Sequence, residues 1–170
     1  MRPLREATGC EWVWQRPRLM SRLWELRAGE DLAATLEACG WTGARMTGET
    51  AGCRWDLRHE GFFLGRTVVR REGGVDALLE LRPGWFGDGT IRCADGTALR
   101  WKRGDVWGRR WRVLDPDDHV QLEFTRQPAF FKSRTTVAAT EVGRGRPDLP
   151  ELVLLGFFQL RLLERQSSAS

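Results

Sequence analysis

The chain has 170 residues, a mass of 19.5 kDa and a formal net charge of +4, from 27 basic and 23 acidic side chains. Apolar residues make up 41% and charged residues 29%, with a mean hydropathy of −0.44. That balance excludes a disordered chain, a collagen-like chain and a disulfide miniprotein, and the length fits one domain, or at most two very small ones.

Nine tryptophans and eight phenylalanines stand beside no tyrosine. Large rings of this kind suit strand surfaces and barrel interiors. The basic residues are almost all arginine, with Lys102 and Lys132 the two lysines. Charge is spread along the chain, so neither half has the bulk positive field of a nucleic-acid binder, and nucleic acid is not expected as a partner. Cys10, Cys39, Cys53 and Cys93 are widely separated. Neither His59 nor His119 stands at zinc-ligand spacing from any of them. Four free thiols and no metal are expected. With no signal peptide legible at the start, the expected setting is reducing and cytoplasmic.

In chain order, alternation of apolar and polar residues predicts about twelve strands. The first is Glu11–Trp14. Leu23–Arg27 and Asp31–Glu37 flank a break at Ala28-Gly29-Glu30, which reads as a hairpin. Trp41–Thr47 is weaker, and Cys53–Arg58 puts Cys53, Trp55 and Leu57 on one face. Phe62–Arg70 and Val75–Arg82 flank Gly73-Gly74, and Thr90–Cys93 and Thr97–Lys102 flank Asp95-Gly96. Both are tight-turn dipeptides. Arg109–Leu114 and His119–Thr125 flank Asp115-Pro116-Asp117-Asp118, and Ser133–Val142 closes the series. A weak echo of residues 24–32 at 111–120 raises a half-barrel duplication.

The period then changes. Asp148 reads as a helix N-cap, with Pro150 in the first turn and Glu151 completing a capping box. The stretch Leu152–Leu160 is apolar on every face, so the helix must be buried. Arg161 and Arg165 suit the negative end of its dipole. The fifteen residues from 149 to 163 span about 22 Å, too short for a bilayer core of about 30 Å. The expected organisation is an N-terminal segment over 1–9, one barrel domain over 10–165 with a core helix at 149–165, and a disordered tail at 166–170. The fold class is all-β, a closed antiparallel barrel of about twelve strands around that helix.

This plan resembles the tubby C-terminal domain superfamily, which includes the phospholipid scramblases and the LURP-one-related proteins. The likeness rests on element order, on the Asp95-Gly96 turn, on Trp111-Arg112-Val113-Leu114-Asp115, and on the terminal Leu-Leu-Gly-Phe-Phe run at 154–158. The resemblance implies a twelve-strand barrel threaded by its C-terminal helix. It also implies contact with membranes or phosphoinositide headgroups. No counterpart of the scramblases' calcium-binding segment is present.

No catalytic constellation emerges. The serines lack a nucleophile elbow, and both histidines read as solvated turn residues. Asp115, Asp117 and Asp118 lack EF-hand spacing, and no cofactor motif is found. The segment 100–112 holds the candidate site. Arg100, Lys102, Arg110 and Arg112 would form one outward row if the two strands pair, while Trp101 and Trp111 face the core. Such a row would take an anion by charge-assisted hydrogen bonds. Its alternative is a solvated face balanced by Glu123 and Glu80. The expected function is a non-enzymatic binding or scaffold module that contacts anionic lipid headgroups or another acidic partner. Single-stranded nucleic-acid binding through the same segment, and an enzyme site at the barrel mouth, stay open as alternatives.

Overall fold

In the computed structural model, which describes all residues except 8, 10, 63, 129–132 and 170, twelve strands pair antiparallel with their sequence neighbours. They are β1 (Glu11–Gln15), β2 (Leu23–Ala28), β3 (Asp31–Cys39), β4 (Arg45–Thr50), β5 (Cys53–Glu60) and β6 (Arg66–Arg71). They continue as β7 (Leu79–Pro83), β8 (Gly89–Cys93), β9 (Ala98–Arg103), β10 (Arg110–Leu114), β11 (Val120–Gln127) and β12 (Arg134–Ala139). β1 pairs with β12, with Trp12 opposite Val137, and this closes the barrel. A short helix α1 (Glu141–Arg144) precedes the long helix α2 (Leu149–Ser168).

Alternation places one face of every strand inside. Trp12, Trp14, Leu26, Leu36, Leu57, Leu81, Leu99, Trp101, Val113 and Phe124 are fully buried there. The outward positions carry ion pairs, such as Arg45 and Arg58 on Asp56. An apolar interior and a charged wall are the reverse of a membrane-spanning barrel. No helix of the described residues is long and apolar enough to cross a membrane.

α2 runs through the interior, as its all-round apolarity demands. Trp14 stacks on Phe157, with centroids 4.5 Å apart, and Trp24 meets the same ring edge-on. Two glycines make room for close approach. A Cβ at Gly156 would overlap the Phe124 ring, and one at Gly48 on β4 would stand 3.0 Å from Leu154. A buried polar contact adds to the fit: Thr67 donates to the Gln159 side-chain oxygen at 3.0 Å.

In an up-and-down barrel, every odd-to-even connection lies at one end and every even-to-odd connection at the other. Here the first is called the rim and the second the base. The base is sealed by the chain start. A 3-10 turn at Leu4–Glu6 buries Leu4 and Ala7. Arg144 donates to the Ala7 carbonyl at 2.7 Å and Arg5 to that of Arg146 at 3.0 Å. Residues 1–7 therefore pack as part of the domain. The C-terminal turns of α2 emerge at the rim.

Several boundaries move from the expected ones. The strand expected to reach Val142 stops at Ala139, because Thr140 caps α1 by accepting the Gly143 N–H at 3.1 Å. The tail expected from 166 is helical through Ser168. Asp148 stands at the N-cap of α2 but makes no cap bond. Its carboxylate instead takes two guanidinium hydrogen bonds from Arg146, at 2.8 and 2.9 Å. Trp41 and Phe62, expected in strands, lie in connections. The echoed hairpins β2–β3 and β10–β11 share a bulge at the same place, which buries the extra residues Ala33 and Gln121. They stand eight strands apart where a half-barrel repeat needs six, so the echo is a repeated hairpin device.

Gly156→Ala should cost about 1–3 kcal/mol in denaturant unfolding, the usual penalty for overpacking. Phe124→Leu in the same chain should recover part of that loss, since it removes the ring that the new methyl meets.

Candidate functional site

The hairpin residues fall where alternation places them. β9 and β10 pair with Arg112 opposite Lys102 and Leu114 opposite Arg100. Behind them Trp101 and Trp111 stack in the core, with centroids 5.3 Å apart. The row is not four free cations, however. Arg112 Nε lies 2.6 Å from Glu123 Oε2, and Arg100 pairs with Asp118. Glu123 balances the row as expected, whereas Glu80 turns to Arg66 and Arg82. Lys102 and Arg110 remain exposed, and among the described residues neither makes an ion pair. Arg110 lies beside Asp105, whose carboxylate accepts its backbone N–H and that of Arg109; these bonds hold Asp105 below the usual carboxylate range.

Other candidates resolve into structural roles. Asp115 accepts the backbone N–H groups of Asp117 and His119, so its carboxylate shapes the β10–β11 turn. His59 is not a solvated turn residue. It lies on β5, half-buried, with Nδ1 3.3 Å from the Thr67 hydroxyl, and burial lowers its pKa. Cys39, Cys53 and Cys93 are free thiols, and Cys10 lies outside the described residues. Burial and the nearby Asp148 carboxylate push the Cys93 thiol up to about 12, so it carries no nucleophilic thiolate at neutral pH.

A second group of cations forms at the rim, from residues far apart in sequence. Arg16 follows β1, while Arg161 and Arg165 are carried on the last turns of α2. The guanidinium carbons of Arg16 and Arg161 lie 4.4 and 4.6 Å from the Trp24 ring centroid. Burial, then repulsion from Arg16, Arg165 and Arg126, pushes Arg161 down to about 10. Arg16 is lowered by burial and by Arg165, and its Nε is buried without a hydrogen-bond partner among the described residues. Glu164 offsets the group by pairing with Arg126 at 2.9 Å and with Arg161. Arg165 donates to the Thr42 carbonyl. A cavity of about 210 Å³ opens here, lined by Arg16, Arg22, Trp24, Arg161 and Arg165.

A larger groove, of about 490 Å³, lies outside β4, β5 and β6. Three acids, Asp56, Glu60 and Glu72, line it beside four arginines: Arg45 and Arg58 pair with Asp56, Arg70 pairs with Glu60, and Arg71 lies over the Trp55 ring. The rim cavity differs because no acid is among its lining residues and two of its cations, Arg16 and Arg161, are partly desolvated. Arg161 and Arg165 read from sequence only as complements to the helix dipole. Their meeting with Arg16, some 145 residues away, leaves no local signal.

Searches against protein-family models, curated proteins and solved structures found no match.

In thiol labelling of the native protein at pH 8, Cys93 should react far more slowly than Cys39 or Cys53, and the denatured chain should yield four thiol equivalents. Because the folded Cys93 pKa lies above the ordinary value near 9, its contribution to stability is complete below that pH. It should be lost as pH rises toward about 12.

Proposed function

We propose that this protein is a non-enzymatic binding module that takes an anionic group at the rim cavity between Arg16, Arg161 and Arg165. The observation that carries this reading is the charge imbalance there: the partly buried guanidinium groups of Arg16 and Arg161 crowd one another and Arg165, and the buried Nε of Arg16 has no partner among the described residues. A phosphate or similar anion entering the cavity would supply the missing acceptors and relieve the repulsion. The resemblance of this element order to the tubby C-terminal domain superfamily points the same way. The hairpin cations Lys102 and Arg110 are a secondary contact in this account, because Arg100 and Arg112 are already paired.

The test is thermal melting with inorganic phosphate and with a soluble inositol phosphate. Ligand at a hundredfold excess over its Kd adds about 2.7 kcal/mol, which should raise the melting temperature by several degrees. Higher salt should weaken the effect. Arg16→Gln with Arg165→Gln should remove the shift, and Lys102→Gln with Arg110→Gln should leave it in place. A shift abolished only by the second pair would return the site to the hairpin, and no shift with either ligand would overturn the reading.

A further inference from the structure

All five exposed aromatic rings among the described residues lie at the rim. Trp41 is in the β3–β4 connection, Phe62 in β5–β6, Trp85 and Phe86 in β7–β8, and Trp107 in β9–β10. Each is more than four-fifths exposed, with Trp41 at 91% and Phe62 at 95%. Met20, 90% exposed, adds an apolar tip from β1–β2. The exposed large apolar residues elsewhere are Met1, Val75 and Val142, none of them aromatic.

These tips are built into the hairpins. Four successive rim connections bracket their rings with glycine: Gly40-Trp41-Thr42-Gly43, Gly61 to Gly65, Gly84-Trp85-Phe86-Gly87 and Gly104 to Gly108. Gly40 and Gly43 both take positive φ, 76° and 61°, which turns the chain sharply and leaves Trp41 at the apex. The device recurs about every 21 residues, once per hairpin, so the rings ring the mouth.

Charge is also divided between the two ends. The rim connections and the last turns of α2 bring Arg16, Arg18, Arg22, Arg109, Arg161 and Arg165. Of the acids there, Asp88 and Asp105 face the backbone, accepting the N–H groups of Arg103 and Arg109. The base turns between strands carry Glu30, Glu72, Asp76, Asp95, Asp115, Asp117 and Asp118, and no lysine or arginine. The molecule thus has an acidic base and a basic, aromatic rim.

From this arrangement we infer that the rim docks on an anionic lipid bilayer, with Trp41, Phe62, Trp85, Phe86 and Trp107 inserted among the headgroups. Separate tips spread around a charged mouth fit a deformable, two-dimensional surface better than a flat protein face. Tryptophan favours the membrane–water interface, and arginine stems lie along apolar surface while their heads reach phosphate. Arg22 is placed for this, with its guanidinium 5.2 Å from the Trp41 ring centroid. The acidic base would turn away from a negative surface, so charge sets the orientation. The polar wall limits entry to the tips. This inference names the surface that displays the anion of the preceding section, and rests on that reading only for the charge of the mouth.

The test uses the full chain with vesicles of phosphatidylcholine containing phosphatidylserine, and with pure phosphatidylcholine. Sedimentation should show binding to the mixed vesicles, weakened by salt, and brominated lipid should quench part of the tryptophan emission. Trp41→Ser with Phe62→Ser and Trp85→Ser should weaken vesicle binding by about tenfold or more. The melting temperature and the response to inorganic phosphate should stay nearly unchanged, since each of these rings is more than four-fifths exposed. Binding without quenching, equal binding by the triple variant, or no binding to the mixed vesicles would overturn the inference. So would a concentration-dependent dimer in ultracentrifugation that the triple variant abolishes, because the rim would then be a face between copies of this chain. Phosphate binding without vesicle binding would sink this inference alone. Vesicle binding and quenching without a phosphate response would sink only the anion site.

Discussion

The constraint that organises this molecule is a helix with no polar face along most of its length. Residues 152 to 160 of α2 are all buried, including Gln159. Such a helix has no stable position on an open sheet, which would cover one side and leave the other wet. It needs a wall all round. Closure of β1 against β12 supplies that wall and removes both sheet edges together. The fit leaves no room for a Cβ at Gly156 on the helix and only a tight one at Gly48 on the sheet, while Trp14, Trp24 and Phe124 fill the remaining space.

A filled interior moves any binding chemistry to the wall and the ends. On the wall, arginine and carboxylate side chains meet across neighbouring strands, as Arg112 meets Glu123 and Arg66 meets Glu80. Exposed pairs of this kind contribute little to stability but leave little free charge. At the base, the chain start packs Leu4 and Ala7 against the core, and aspartates shape the turns. The rim differs because the helix ends there. Its last turns bring Arg161 and Arg165 to a mouth that already holds Arg16, and the carbonyl end of the helix draws those cations in. The same axial helix that fills the barrel thus gathers cations at one end.

The hairpin from 100 to 112 shows how far local reasoning reaches. Strand parity correctly sent Trp101 and Trp111 inward and the cations outward, because side chains alternate by geometry. It named Glu123 among the acids that would balance the row. It did not reveal the match of Asp118 to Arg100, which depends on how the β10–β11 turn folds back toward β9. Two of the rim aromatics, Trp41 and Phe62, were expected in strands for a related reason. Trp41 and Phe62 have high strand propensity, and a ring at the apex of a connection has the same composition as a ring in a strand. The glycines on either side of each were the available signal, and their repetition at the hairpin period marks these rings as tips.

The amino-acid sequence by itself determined the number and order of the strands, the inward set of tryptophans and leucines, and the need to enclose α2. Each of these follows from a period of two or of 3.6 residues, a property of neighbours along one chain. Tertiary structure alone decided which charges meet. Arg16 joins Arg161 and Arg165 because closure carries β1 around to the end of the helix, and Arg100 joins Asp118 because the β10–β11 turn lies over β9. Coulomb energy depends on separation in space, and separation in space between distant segments is written in the register and closure of the whole barrel.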